Sequence, residues 1–168
     1  ARDADGNHET RGDLQIVARQ WNGNGWDPAQ VIADDPQSSD AGPAIAYATN
    51  GAEAWVTWVR DHDTDYRTSG DRRLNYAIWN GSAWSAAVEP ANWPVGVIEG
   101  SLTFSSRSSK PLVAMTALQP QAGATEATIS ADAMRLYAAW WGPAATDWDV
   151  QSLGGTRGEW PQAMVYTD

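Results

Sequence analysis

Four acidic residues in the middle of the chain have the types and spacing to hold a metal. Asp61, Asp63 and Asp65 stand at alternate positions, and Asp71 follows ten residues after the first. The same arrangement occurs earlier as Asp3, Asp5, Asn7 and Asp13. Carboxylates are hard oxygen ligands, alternate spacing in a tight loop turns several toward one centre, and Ca2+ takes about six to eight such oxygens. Structural calcium in both loops is therefore the expected chemistry. Neither loop is an EF-hand, because the sixth position, glycine in that motif, is Tyr66 or His8 and no glutamate stands at the twelfth. The competing expectation is a solvated acidic loop with Arg67, Arg72 and Arg73 as countercharge. Gln119 and Gln121 stand where a third copy needs its first two aspartates, so that copy is expected to lack the site.

Tryptophan is the second feature that could do chemistry, with eleven in the chain against a single Phe. Trp21, Trp26, Trp79, Trp84, Trp140 and Trp148 recur at matching places of a repeat. An indole face suits the apolar face of a sugar ring, and it equally suits packing between neighbouring sheets. Trp93, Trp141 and Trp160 fall outside the repeated pattern, which makes them candidates for a particular ligand surface, together with Trp26 and Trp84.

Other short motifs carry less. Arg11-Gly12-Asp13 spells an integrin-recognition tripeptide, but the matching Ser69-Gly70-Asp71 shows that the Gly and Asp belong to the repeat. Asn80-Gly81-Ser82 fits a glycosylation sequon and also fits a hairpin turn. His8 and His62 lie in the Asp-rich loops with no Ser or Cys partner suggested by spacing, so no catalytic constellation is expected.

The elements that must position these residues are strands. At a constant offset of 58, Asp3 meets Asp61, Asp5 meets Asp63, Thr10 meets Thr68, Asp13 meets Asp71, Trp21 meets Trp79, Gly23 meets Gly81 and Trp26 meets Trp84. A weaker third copy follows at an offset of 61, placing Tyr137 on Tyr76 and Trp140 on Trp79. In the middle copy, strands are predicted over 43–48, 54–60, 74–79 and 83–88, with Asn50-Gly51 and Asn80-Gly81 as turns. Trp55, Thr57 and Val59 are expected on one face, and Val56 and Trp58 on the other. Four antiparallel strands per unit with no helical periodicity between them is the pattern of a β-propeller blade. The expected organisation is a partial blade over 1–38, a full blade over 39–97, a degenerate full blade over 98–157, and the first strand of a further blade over 158–168. Strand counting leaves the array one strand short at its junction. The chain is therefore expected to be an incomplete propeller segment, joined to the rest of a longer polypeptide or closed as a homo-oligomer.

Composition narrows the partners. The net charge is −10, which repels phosphate backbones and anionic lipid, so neither nucleic acid nor membrane insertion is expected. No apolar run approaches membrane-spanning length. Without cysteine there is neither a disulfide framework nor a thiolate metal site.

The segment from Asp61-His62-Asp63-Thr64-Asp65 through Asp71 to Trp79-Asn80-Gly81-Ser82-Ala83-Trp84 resembles a repeat of large secreted and cell-surface propeller proteins of bacteria and archaea. That resemblance implies an exported protein at a cell surface. Trp21-Asn22-Gly23-Asn24-Gly25-Trp26 is also similar to the turn of fucose-binding propeller lectins, although that family's sugar-binding Glu is replaced by Ala18 and Tyr76. Ser38-Ser39-Asp40-Ala41-Gly42 is partly similar to the Asp-box of sialidase-like propellers, but Ile45 replaces its aromatic and the segment lies between blades rather than in a hairpin, so this resemblance is set aside. The expected function is a non-enzymatic extracellular binding or scaffold module with calcium-stiffened loops. The alternatives are a lectin with Trp-lined glycan sites between blades and, behind both, a glycan-active enzyme.

Overall fold

The computed structural model describes residues 1–7, 12–65, 68–106, 108–118, 134–142 and 147–155. All regular structure among them is β, in three antiparallel sheets. The first blade contains β1 (Arg2–Asp3), β2 (Leu14–Ala18) and β3 (Gln30–Ala33). The second contains β4 (Ser39–Tyr47), β5 (Ala54–Asp61) and β6 (Arg73–Trp79). The third contains β7 (Val97–Phe104), β8 (Pro111–Leu118), β9 (Met134–Trp141) and β10 (Trp148–Gly155). In every sheet, strands adjacent in sequence are adjacent in space, which is the blade-like meander that the repeat predicts.

The turns follow from their residues. Asn80 Oδ1 accepts the amides of Ser82 and Ala83, both at 3.0 Å, and Gly81 takes a positive φ of 96°. Fifty-eight residues earlier, Asn22 Oδ1 accepts Asn24 and Gly25 at 3.0 Å in the same way. The side chain of Asn80 is thus committed to its turn, which spans four residues between Trp79 and Trp84 rather than two.

The fourth strand predicted over 83–88 is reduced to two isolated bridges, Trp79 with Trp84 and Tyr76 with Val88. Two residues lie between the partners on one side and three on the other, so one residue is extra. The hydroxyl of Ser85 takes up the slack by accepting the amide of Ile78 at 3.0 Å in place of a backbone carbonyl. A second irregularity lies in β4 between Ala41 and Ala44, where Gly42 has φ of 63°.

β5 is central and almost wholly buried, and its two faces serve different neighbours. Trp55 and Val59 join a core with the third blade, while Val56 and Trp58 join a core with the first. Between the second and third blades, Trp55, Tyr76, Trp93, Trp141 and Trp148 form one aromatic cluster with neighbouring ring centroids 5.0–6.2 Å apart. Most of these contacts are edge-on, the arrangement that ring quadrupoles favour.

The third copy differs from its sequence alignment by one residue. Trp148 pairs with Trp141, as Trp84 pairs with Trp79, whereas Trp140 pairs with Asp149 and is 38% exposed. A shift of one residue on a strand reverses every side chain. Tyr137 therefore faces back toward the second blade, while Tyr76 faces forward to the third.

Candidate functional site

The second Asp-rich loop connects the end of β5 to the start of β6. Its frame is built by side chains accepting backbone amides. Asp71 Oδ2 accepts the amides of His62 at 3.0 Å and Asp63 at 2.9 Å, and Asp63 Oδ1 accepts that of Asp65 at 2.8 Å. Thr68 Oγ1 donates to the carboxylate of Asp63. The first loop repeats the frame: Asp13 Oδ2 accepts the amide of Asp5 at 3.2 Å, and Asp5 Oδ1 accepts that of Asn7 at 2.7 Å. In each loop one oxygen from each of three carboxylates lies within 4.8 Å of the others. The trios are Asp61, Asp63 and Asp71, and Asp3, Asp5 and Asp13. Asp65 and Asn7 enter the frame through their backbone amides.

Burial makes the second trio electrostatically demanding. Asp61 is 2% exposed, and its Oδ2 accepts Arg72 Nε at 3.0 Å. Among the described residues its Oδ1 is buried with no hydrogen-bond partner, as is Asp71 Oδ1, and Asp13 Oδ1 is the counterpart in the first loop. Burial pushes the Asp61 carboxyl above its ordinary value; Arg72 opposes the shift and the neighbouring Asp71 charge adds to it. Asp63 is held below its ordinary value, first by the hydrogen bond from the Asp65 amide. A divalent cation inside either trio would lie among ionised oxygens already converging, with backbone carbonyls and water left to complete its shell.

The other candidates are dispersed. Trp93 is 5% exposed inside the inter-blade aromatic cluster, and Trp141 is half-buried in the same cluster. Trp26 is 63% exposed, edge-on to Trp21 at 5.6 Å, and Trp84 is half-buried at 5.7 Å from Trp79. Trp160, and with it Arg11, His8, Gln119 and Gln121, lies outside the described residues. Asp40 is fully buried and structural: it accepts Trp58 Nε1 at 2.8 Å and pairs with Arg60 through Nε at 2.8 Å.

Two concavities lie between blades, where the lectin alternative placed its Trp-lined sites, but most of their lining residues were not named from sequence. A groove between the first and second blades is lined by Ala18, Arg19, Gln20, Gln30, Ile45, Tyr47, Trp79 and Trp84. A cleft between the second and third blades runs beside the second Asp loop and shares Asp61 and Arg72 with it. Glu99 lies on its far wall, with its carboxyl raised by burial. Both depend on which blades meet, a property without a local sequence signal.

No protein-family model matches the chain, and no curated protein matches it in sequence. Among solved structures, it resembles the Hadza microbial sialidase Hz136 at a TM-score of 0.57 and 12% identity, over 81% of this chain. The chain spans 30% of the length of that structure. At such identity the likeness is one of fold, and it agrees with antiparallel, propeller-like blades in an incomplete array.

Proposed function

We propose that the chain is a non-enzymatic extracellular or cell-surface binding and scaffold module, a segment of a larger β-propeller whose loops are stiffened by calcium. One observation carries this reading. Two loops at the same place in the repeat hold equivalent carboxylate trios, and each contains a buried carboxylate oxygen without a donor among the described residues. Leaving a buried charged acceptor unpaired costs about 1–3 kcal/mol or more. A bound cation would supply the missing partner to those oxygens while drawing the three carboxylates of a loop together. The loops connect β1 to β2 and β5 to β6, so a bound metal would brace neighbouring strands of the scaffold. The partner is the remainder of a longer propeller or further copies of this chain.

Calcium titrated into chelator-stripped protein tests this. Two binding events are expected, and Asp63→Ala should leave one. At a hundredfold excess over Kd, each site adds about 2.7 kcal/mol, or about 5–10 °C in Tm for a domain of this size. A melt indifferent to chelator, with no binding heat, would sink the calcium reading.

A second reading, a carbohydrate-binding lectin with Trp-lined sites between blades, draws on the groove beside Trp79 and Trp84 and its polar residues Arg19, Gln20 and Gln30. A glycan-binding screen separates it from the first. A glycan-active enzyme stands behind both, because the sialidase likeness concerns fold, and propellers host unrelated functions. Hydrolysis of aryl glycosides is its test.

A further inference from the structure

The cleft between the second and third blades has a volume of about 320 Å3, at the small end of the range for ligand pockets. Its second-blade wall holds Ala41, Val59, Asp61 and Arg72, and its third-blade wall holds Ile98 and Glu99. Each wall carries a slip in strand register, between Ala41 and Ala44 on β4 and between Val97 and Glu99 on β7. Bulges re-aim side chains and recur beside functional sites. Charge inside the cleft is unbalanced. Arg72 Nε donates to Asp61 Oδ2 at 3.0 Å, so those two charges compensate each other. The Glu99 carboxyl has no hydrogen bond or ion pair among the described residues, and its Oε2 is sealed from solvent. Burial pushes this carboxyl above its ordinary value, and no neighbouring charge opposes the shift. A carboxylate withdrawn from water without a partner is costly, and a cationic donor that reaches it makes a charge-assisted hydrogen bond. A bare metal ion needs more oxygens than this wall presents, whereas Ala41, Val59 and Ile98 suit a hydrocarbon chain.

We infer that this cleft binds the ammonium group of a primary aliphatic amine, with the nitrogen on Glu99 and the alkyl chain against Ala41, Val59 and Ile98. The net charge of −10 draws such a cation in and holds anions off. Glu99 belongs to neither carboxylate trio, so the inference goes beyond the calcium reading and does not require it.

The test is n-butylammonium chloride titrated into the isotopically labelled 168-residue protein, in chelator and at constant ionic strength. Saturable amide shifts at Ala41, Ile98 and Glu99 are expected, with a Kd on the order of 1 mM, the scale for so few ligand atoms. n-Butanol, which keeps the chain without the charge, should bind about tenfold or more weakly. Glu99→Gln, which keeps the side chain's shape, should weaken the amine by a similar factor while leaving amide shifts outside the cleft unmoved. Asp34→Asn, at an exposed carboxylate outside the cleft, should bind as the parent does. Nα-acetyl-lysine amide set against diaminobutane then separates a peptide's lysine side chain from a free diamine, and either must lose its binding with Glu99→Gln. Absent shifts, or equal binding by butanol or by Glu99→Gln, overturn the proposal. So does tighter binding of n-butyrate, which would make Arg72 the anchor of an anion site. Because the titration is run in chelator, its failure leaves the calcium reading standing, and failure of calcium to bind leaves this site standing.

Discussion

Asp61 joins three roles in one carboxylate: it ends β5, holds Arg72 and completes a metal-competent trio. Its raised pKa has a definite consequence for stability. Without metal, the folded chain binds this proton more tightly than the unfolded chain, whose carboxyl titrates near 3.8. The resulting penalty is absent below the unfolded value and grows as pH rises through the folded one. Asp63 has the opposite sign: its lowered pKa contributes stability above the unfolded value, lost as pH falls through the folded one. In chelator, Asp61→Asn should therefore remove a decline in Tm that the parent shows as pH rises from about 4 toward neutrality. With calcium the order should reverse, because the ionised Asp61 becomes a ligand and the Asn variant loses one binding event. Parallel pH profiles with and without calcium would contradict this. The alternate spacing of these aspartates was legible in sequence because the repeat displays it twice. The burial of Asp61 was not, since it depends on the strand end tucking beneath its own loop. Nor was the use of Asp65 and Asn7 as amide donors, because spacing does not distinguish a side chain from its backbone.

At the scale of elements, the aromatic cluster couples the second blade to the third. Trp148→Ala should cost about 3–5 kcal/mol in urea unfolding, the range for truncating a buried aromatic. Trp26→Ala alters the matching repeat position, yet should fall within about 0.5 kcal/mol of the parent, because that ring is exposed. Equal effects would mean that repeat position, not cover by a neighbouring blade, decides the energetics. The strands of the middle copy and the two faces of β5 were legible from period-two alternation and Asn-Gly turns. The third copy was read one residue out of register. Trp140 and Trp141 are adjacent, either can match Trp79, and identity alone selects Trp140. Pairing selects Trp141, because only its face meets Trp55 and Tyr76. The same limit explains Trp93 and Trp141. Standing outside the repeat made them candidates for a ligand surface, and the packing of two blades put them inside a core cluster.

Among the described residues, the blades form an array with one well-covered interface, between the second and third, and one partly filled, between the first and second. Trp21 and Trp26, at 54% and 63% exposure, are the outward version of a contact that is buried at Trp148. The propeller architecture was legible because the repeat, its turns and its strand count all pointed to one answer. Of the groove only the tryptophans were legible, and of the cleft only Asp61, because the rest of each lining is brought together by two blades. The most direct test of the central claim is the intact mass of the native protein under denaturing conditions, followed by its mass in solution. A chain longer than 18.2 kDa, or an 18.2 kDa chain in a defined oligomer, is the expected result. A native chain of 18.2 kDa that remains a monomer at high concentration would contradict it.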